Sequence, residues 1–472
     1  MGVLSRILAG AAVAAILPGL AGAQPAPRAG QAAFRETYKE LVEINTTLSV
    51  GSCTAAAEAM AARLRAAGYP DSDLHLIVAP GHPREGNLVA VLPGTDPKVR
   101  AILLLAHLDV VEANRADWTR DPFTLIEEDG WFYARGAADD KAQAAIWVDT
   151  MIRYKQEGFR PRRTVKMALT CGEESEGALN GANLLVTEHR DLIDAEFALN
   201  EGAGGLLDDA GKPVSLSIQS GEKVYQDFTL ETTNPGGHSS RPVKDNAIIH
   251  LAAALVRISA YEFPVQLNDT TRAYFTAMAP LVDADSGAAM RAIVADPSDK
   301  AALAVLARNA TWNSMLRTTC VATLVNAGHA PNALPQRATA NVNCRIFPGV
   351  SYEAVQAKLA ELAADPAVSI APGKTHRLTP PPPALSPMVM KPLRAQAAKM
   401  WPGVPIVPFQ STGATDGKYL NSYGIPTYGL TGIFSDNSNS GVHGLNERLR
   451  VKSLYDARDF LYLLVKDYAS AK

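Results

Sequence analysis

The sequence predicts an α/β protein with a mostly parallel sheet, interrupted by an inserted α+β unit of split βαβ order. Three observations lead there. Short continuous apolar runs alternate with helical stretches in the first half of the chain. A different pattern, alternating apolar and polar residues, begins near Ser220. The proline run Pro380–Pro383 then marks a return to the first pattern. At roughly 150 residues per domain, 472 residues make two or three domains.

Taken in order, the chain opens with an export signal. Arg6 supplies a positive charge, Ile7–Leu17 an apolar stretch and Ala21-Gly22-Ala23 a small-residue cleavage site before Gln24. The pattern is too short and wrongly flanked for a stable membrane span. Removal of residues 1–23 is expected to leave a periplasmic or secreted chain without membrane attachment, with Pro25–Gly30 as a short tether. Buried parallel strands are expected at Asn87–Leu92, Ala101–Ala106, Val165–Thr170 and Ala195–Asn200. Helices are expected at Ala55–Ala67, ending at Gly68, and at Lys141–Gln156, ending before Gly158. Lys223–Thr232 reads as a half-exposed strand, Asp245–Ile258 as a helix, and Thr318–Val325 and Arg337–Phe347 as strands. Tyr352–Leu362 as a helix and Ala367–Ile370 as a strand complete the split βαβ order. An Ala-rich, helical insertion at about residues 260–313 separates the first helix of this unit from its second strand. Residues 24–219 and 383–472 thus form one domain, with residues 220–382 inserted in it.

Apolar residues make up 47% and charged residues 20%, and the net charge is −3 with no long basic run. This charge balance argues against binding dominated by phosphate neutralisation, so no nucleic-acid partner is expected. Disorder, collagen and coiled coil do not fit this composition either. Four cysteines are too few for a disulfide scaffold. Cys320 and Cys344 fall on two neighbouring strands, where a cross-strand bridge or a pair of buried thiols would fit equally.

The residues suited to chemistry follow the expected strands. His107-Leu108-Asp109 follows Ile102–Ala106, Glu173-Glu174 follows Val165–Thr170, and Glu201 follows Phe197–Asn200. Asp139-Asp140 stands at the entry to the helix beginning near Lys141. In a parallel sheet the carboxyl ends of the strands open at one edge, where ligands bind, so these residues are expected to converge. Asp109, Asp139, Asp140, Glu173, Glu174 and Glu201 cannot all stay ionised there without counter-charge. Arg135 and Lys141 are too few to supply it. Divalent cations are the economical counter-charge, and histidine among the donors favours zinc. His107 and Asp109, two apart, leave the same face of a strand, so one can ligate while the other orients it. Singly each cluster has an ordinary reading, as a helix cap, a solvated acidic pair or a packing histidine. Other signatures are missing: no GxSxG, HExxH, Walker loop or GxGxxG after a strand.

Together, His107-Leu108-Asp109, Gly136-Ala137-Ala138-Asp139-Asp140-Lys141, Gly172-Glu173-Glu174, Glu201 and His443 resemble the signature of the dizinc aminoacylase/carboxypeptidase metallopeptidases. The likeness spans nearly the whole chain after the signal. It implies a zinc-peptidase-like catalytic domain and a ferredoxin-like lid that also dimerises. Asp139 would bridge two Zn2+ ions, His107 and Glu201 completing one and Glu174 and His443 the other, with Co2+ or Mn2+ as substitutes. Glu173 would be the general base and Asp109 would orient His107. In Gly236-Gly237-His238-Ser239-Ser240, His238 would stabilise the oxyanion, in many members from the partner subunit. Asn332, Arg345 and Gly413 resemble substrate-binding positions, Arg345 as the partner of a carboxylate. Gly172 stands where an Asp is common and Ala142 where a Gly is usual. The expected function is an exported zinc-dependent carboxypeptidase or dipeptidase acting next to a free carboxylate. The alternatives are an N-acyl amino acid amidohydrolase or, more remotely, a non-catalytic binding protein on the same fold.

Overall fold

The computed structural model describes residues 28–175, 179–373, 378, 380–436 and 440–471. The export signal and the start of the Pro25–Gly30 tether lie outside the described residues. The main sheet has ten strands and a parallel centre. Ile102–His107 lies between Val165–Thr170 and Phe197–Asn200, parallel to both, with Ile102 opposite Val165 and Phe197. All six of its residues are buried because both faces of the sheet are covered. Ile102, Leu104 and Ala106 face a layer formed by helices Gln31–Glu43, Cys53–Ala66, Lys141–Gln156 and Val451–Ser470. Leu103 and Leu105 pack with Leu185 and Leu420 of helices Gly181–Glu188 and Gly417–Ser422.

Asn87–Leu92 departs from expectation. It runs antiparallel to both of its neighbours, Leu74–Ile77 and Val165–Thr170. A run that is apolar on both faces reports burial and carries no information on direction. On the other side of the centre, Thr427–Gly429 is parallel to Phe197–Asn200. Pro213–Glu222, Gly205–Leu207 and Phe434–Ser435 continue the sheet, and Ile406–Ser411 pairs in parallel with Pro213–Glu222.

A second, antiparallel sheet has the order Thr319–Ala327, Arg337–Ile346, Val224–Thr233, Val368–Pro372. Alternate residues of Val224–Thr233 and Arg337–Ile346 are buried. Phe228, Leu230, Val342 and Ile346 pack with Leu251 of helix Ala247–Ser259 and Leu359 of helix Tyr352–Ala363. The order strand, helix, strand, strand, helix, strand is the one read from the sequence. The intervening insertion holds helices Asp269–Met278, Ala284–Ala295, Lys300–Leu306 and Ala310–Leu316. Their core includes Phe275, Met290 and Leu306, and it closes on Val407 of the main sheet.

Both cysteine pairs are bridged. Cys320–Cys344 joins directly opposed residues of two strands, which selects the bridge over free thiols. Cys53–Cys171, which the sequence did not suggest, ties helix Cys53–Ala66 to the residue that follows Thr170.

Candidate metal centre

His107 ends its strand, Glu173 and Glu174 follow Val165–Thr170, and Glu201 follows Phe197–Asn200. These three strands run the same way, so all four side chains reach one edge of the sheet. Asp139 enters from the turn before helix Lys141–Gln156. Asp140 is the N-cap residue of that helix but makes no side-chain capping bond, so helix capping does not account for the acidic pair. His443 arrives from the loop after Phe434–Ser435, with its backbone at φ 58°.

Asp139 stands at the middle of the cluster. Its Oδ1 lies 3.1 Å from His107 Nε2 and its Oδ2 lies 3.3 Å from His443 Nε2. Glu201 Oε1 is 4.0 Å from His107 Nε2, and Glu174 Oε1 is 2.8 Å from His443 Nε2. Two donor groups share Asp139, His107–Asp139–Glu201 and Asp139–Glu174–His443, each with its ligand atoms within 4.8 Å of one another; His107, Glu173 and Glu174 form a further group by the same measure. Two ligands about 2.1 Å from one tetrahedral zinc ion stand about 3.4 Å apart, so these separations fit. His107 Nδ1 faces the Asp109 backbone carbonyl at 3.0 Å. A carbonyl only accepts, so Nδ1 carries a proton and Nε2 is the nitrogen that faces the cluster.

The titration of these groups reflects crowding. Burial alone would lower His107, but its bond to Asp139 and the charges of Asp139, Glu201 and Asp109 raise it well above the usual imidazole value. Bonds to Asp139 and Glu174 raise His443 to about 10. Burial would raise Asp139, yet hydrogen bonds from both histidines hold it well below the carboxylate range. Glu201 is pushed up by burial and by Asp139, and Glu173 by burial, Asp416 and Glu174. A set of acids that cannot all ionise, interleaved with two imidazoles, is chemistry that divalent cations suit.

Asp109 differs from its expected role in one respect. Its backbone carbonyl, rather than its carboxylate at 3.7 Å, takes the hydrogen bond of His107. The carboxylate instead accepts from the Glu173 amide at 3.3 Å and the Glu174 amide at 2.9 Å, fixing the loop that carries both acids. Asn180 Nδ2 steadies the same loop, donating to Gly172 O at 3.2 Å and to Asp416 Oδ1 at 2.6 Å. Gly172 adopts φ 91°, and a Cβ there would stand 2.1 Å from Leu179 O, so this position requires glycine.

The remaining expected residues lie on other elements. His238 and Asn332 are close together, His238 on the ribbon Gly237–His238/Ala333–Leu334 and Asn332 accepting from the Ser239 amide at 2.9 Å. His238 is exposed, and its Nδ1 accepts from the Ser240 amide at 3.2 Å. Arg345 stacks over the Tyr225 ring at 4.7 Å on the second sheet. Gly413 lies in the loop after Ile406–Ser411, its amide donating to Ser411 Oγ at 3.0 Å. Sequence reasoning missed Asp416, Glu222, the Cys53–Cys171 bridge and the buried pair Arg135–Glu447, 2.8 Å apart. Glu447, four residues after His443, was the nearest signal.

An α/β sheet whose carboxyl edge gathers acids and histidines around one shared aspartate defines a hydrolase with cation-binding potential. The chain belongs to peptidase family M20/M25/M40, whose pattern matches residues 103–467. It is an enzyme that hydrolyses amide bonds. The human N-fatty-acyl-amino acid synthase/hydrolase PM20D1 is 28% identical over 394 residues, 80% of this chain and 76% of that protein. A probable carboxypeptidase S-like 2 of Dictyostelium discoideum is 27% identical over 392 residues, 81% of this chain and 74% of that protein. The crystal structure of an M20 family metallo-carboxypeptidase from Sulfolobus solfataricus is similar with a TM-score of 0.68 at 20% identity, covering 92% of this chain and 99% of that one.

Proposed function

We propose that this chain is an exported two-cation hydrolase, a carboxypeptidase or dipeptidase that cleaves the amide bond next to a free carboxylate. The observation that carries the reading is Asp139, whose two oxygens face different donor groups. Zinc suits the mixed nitrogen and oxygen donors. Two such ions, when bound, polarise the scissile carbonyl and lower the pKa of the attacking water.

Glu173 takes the proton of that water and delivers it to the leaving nitrogen. Burial and acidic neighbours raise its affinity for a proton, the direction a proton-accepting base needs. Asp109 keeps Glu173 in place through the backbone amides. Arg345 pairs with the substrate carboxylate, and Asn332 and Gly413 line the substrate. His238 is exposed on its own chain, which supports a homodimer in which the partner's His238 donates to the oxyanion.

The human relative named N-fatty-acyl-amino acid synthase/hydrolase favours a second reading, hydrolysis of N-acyl amino acids. Both readings use the same bond type and the same free carboxylate. Zinc-loaded protein should hydrolyse dipeptides, N-acyl amino acids or both, and lose this on amidation of the carboxylate. Glu173→Gln should keep two ions per chain while kcat falls about 10²- to 10⁴-fold. Near-normal turnover in that variant would remove Glu173 as the base.

A further inference from the structure

We infer that Arg135 and Glu447 are positioning residues that hold the His443 loop against the Asp139 turn, and so build the cation position shared by Asp139, Glu174 and His443. This rests on the two-cation reading above. Both side chains are almost fully buried, 3% and 1% exposed. Glu447 Oε2 accepts from Arg135 Nη1 at 2.8 Å and from the Gly136 amide at 3.0 Å. Its Oε1 accepts from the Ala138 amide at 2.8 Å and the Asp139 amide at 3.1 Å. One carboxylate thus gathers the backbone of the turn that presents the bridging aspartate. The other end of Arg135 crosses to the second loop, Nη2 donating to Gly444 O at 2.7 Å, while its guanidinium lies 5.0 Å from the centre of the Trp118 ring.

The donors differ in how they are supported. His107 and Glu201 leave the ends of paired strands, and the amide of Glu174 is held by Asp109. His443 comes from irregular chain, with φ of 58° at His443 and 54° at Asn446, conformations that non-glycine residues keep only where their surroundings impose them. It is also the most exposed donor, its side chain 55% accessible. Arg448–Arg450, paired with Trp131–Tyr133, and Asn446, bonded to Thr119, anchor the far side of the loop. Neither reaches Asp139. Arg135 and Glu447 reach both loops, and no hydrogen bond joins them to His107 or Glu201 among the described residues.

A pair with only a structural role would lower stability without distinguishing the two ions. A positioning pair weakens the ion that depends on both loops more than the one that shares only Asp139. The test loads the purified protein, Glu447→Gln and Arg135→Lys with Zn2+, then measures zinc per chain against graded dipicolinate and the Tm of the zinc-stripped proteins. Gln can offer an acceptor to only one side of the turn, and Lys keeps the charge but lacks the fork that reaches Gly444. The expected result is that Glu447→Gln holds one zinc ion at chelator concentrations where the unaltered protein holds two. Affinity for the ion at Asp139, Glu174 and His443 should fall about 10- to 100-fold and that for the ion at His107, Asp139 and Glu201, which shares only Asp139 with it, should fall much less. Arg135→Lys should show the same selectivity in milder form, and it decides the matter if Glu447→Gln does not fold. Equal weakening of both ions, or unchanged zinc binding with only a lower Tm, overturns the inference. Uptake of a single ion by the unaltered protein overturns the two-cation reading and this inference with it.

Discussion

Glu222 and Asp109 are buried carboxylates that meet backbone donors in different numbers. Asp109 spreads both oxygens over two amides, whereas Glu222 puts one oxygen on the Thr415 amide and hydroxyl, at 2.9 and 2.8 Å. Its other oxygen has no hydrogen-bond partner among the described residues, and burial pushes Glu222 up to about 7 from 4.5. An acid whose folded pKa is raised holds a proton that the unfolded chain has released. Its contribution to stability is therefore complete below pH 4.5 and declines as pH rises to 7, by about 3 kcal/mol at this shift. Glu222→Gln should remove that decline: urea unfolding between pH 5 and 7 should flatten, and the variant should exceed the unaltered protein at pH 8. An unchanged slope would mean that Glu222 is not the group responsible. His107, Glu173, Glu174 and Glu201 were legible in the sequence because each follows a buried apolar run, whose end the topology fixes. Glu222 and Glu447 were not, because their partners are backbone amides of distant turns that no side-chain pattern encodes.

Helix Cys53–Ala66 is fastened by Cys53–Cys171 to the loop that carries Glu173, across a separation of 118 residues. Cys320–Cys344 closes only 24 residues, between strands already paired. In the chain-entropy account the longer loop restrains the unfolded chain more, about 4.9 kcal/mol against about 3.4 kcal/mol. Cys53→Ser with Cys171→Ser should therefore lower the Tm more than Cys320→Ser with Cys344→Ser, as scanning calorimetry of the two double variants would read. The reverse order would show that the 53–171 bridge is strained or that its loop stays ordered when unfolded. The shorter bridge was within reach of the sequence, since two expected strands place their cysteines opposite each other. The longer one needs the tertiary placement of a helix over a strand end, which periodicity does not supply. The same limit hid the direction of Asn87–Leu92, whose apolar run is alike in either orientation.

On the scale of the whole molecule, the second sheet leaves a strand edge and several large apolar side chains exposed. Thr319–Ala327 is an edge strand, and Val321, Leu324 and Val325 on it are 60%, 69% and 64% exposed. Ile249 and Val256 of helix Ala247–Ser259, beside the same sheet, are 61% and 67% exposed. An edge that offers unpaired backbone groups and large apolar side chains invites another strand unless charge or proline blocks it, and no charged residue or proline lies within Thr319–Ala327. A second copy of the chain can add its own edge strand there and extend both sheets about a two-fold axis. The sequence made the split βαβ unit legible but not this edge, because strand order within a sheet is not contained in the alternation of any one strand. If the proposed dimer delivers the partner's His238 to the oxyanion, association and turnover are linked. Leu324→Lys should then shift sedimentation from dimer to monomer and lower kcat by the roughly 10²- to 10³-fold typical of losing an oxyanion donor, with zinc content unchanged. A monomeric variant with full kcat would separate the two, placing the oxyanion donor within a single chain and leaving the edge strand a purely architectural contact.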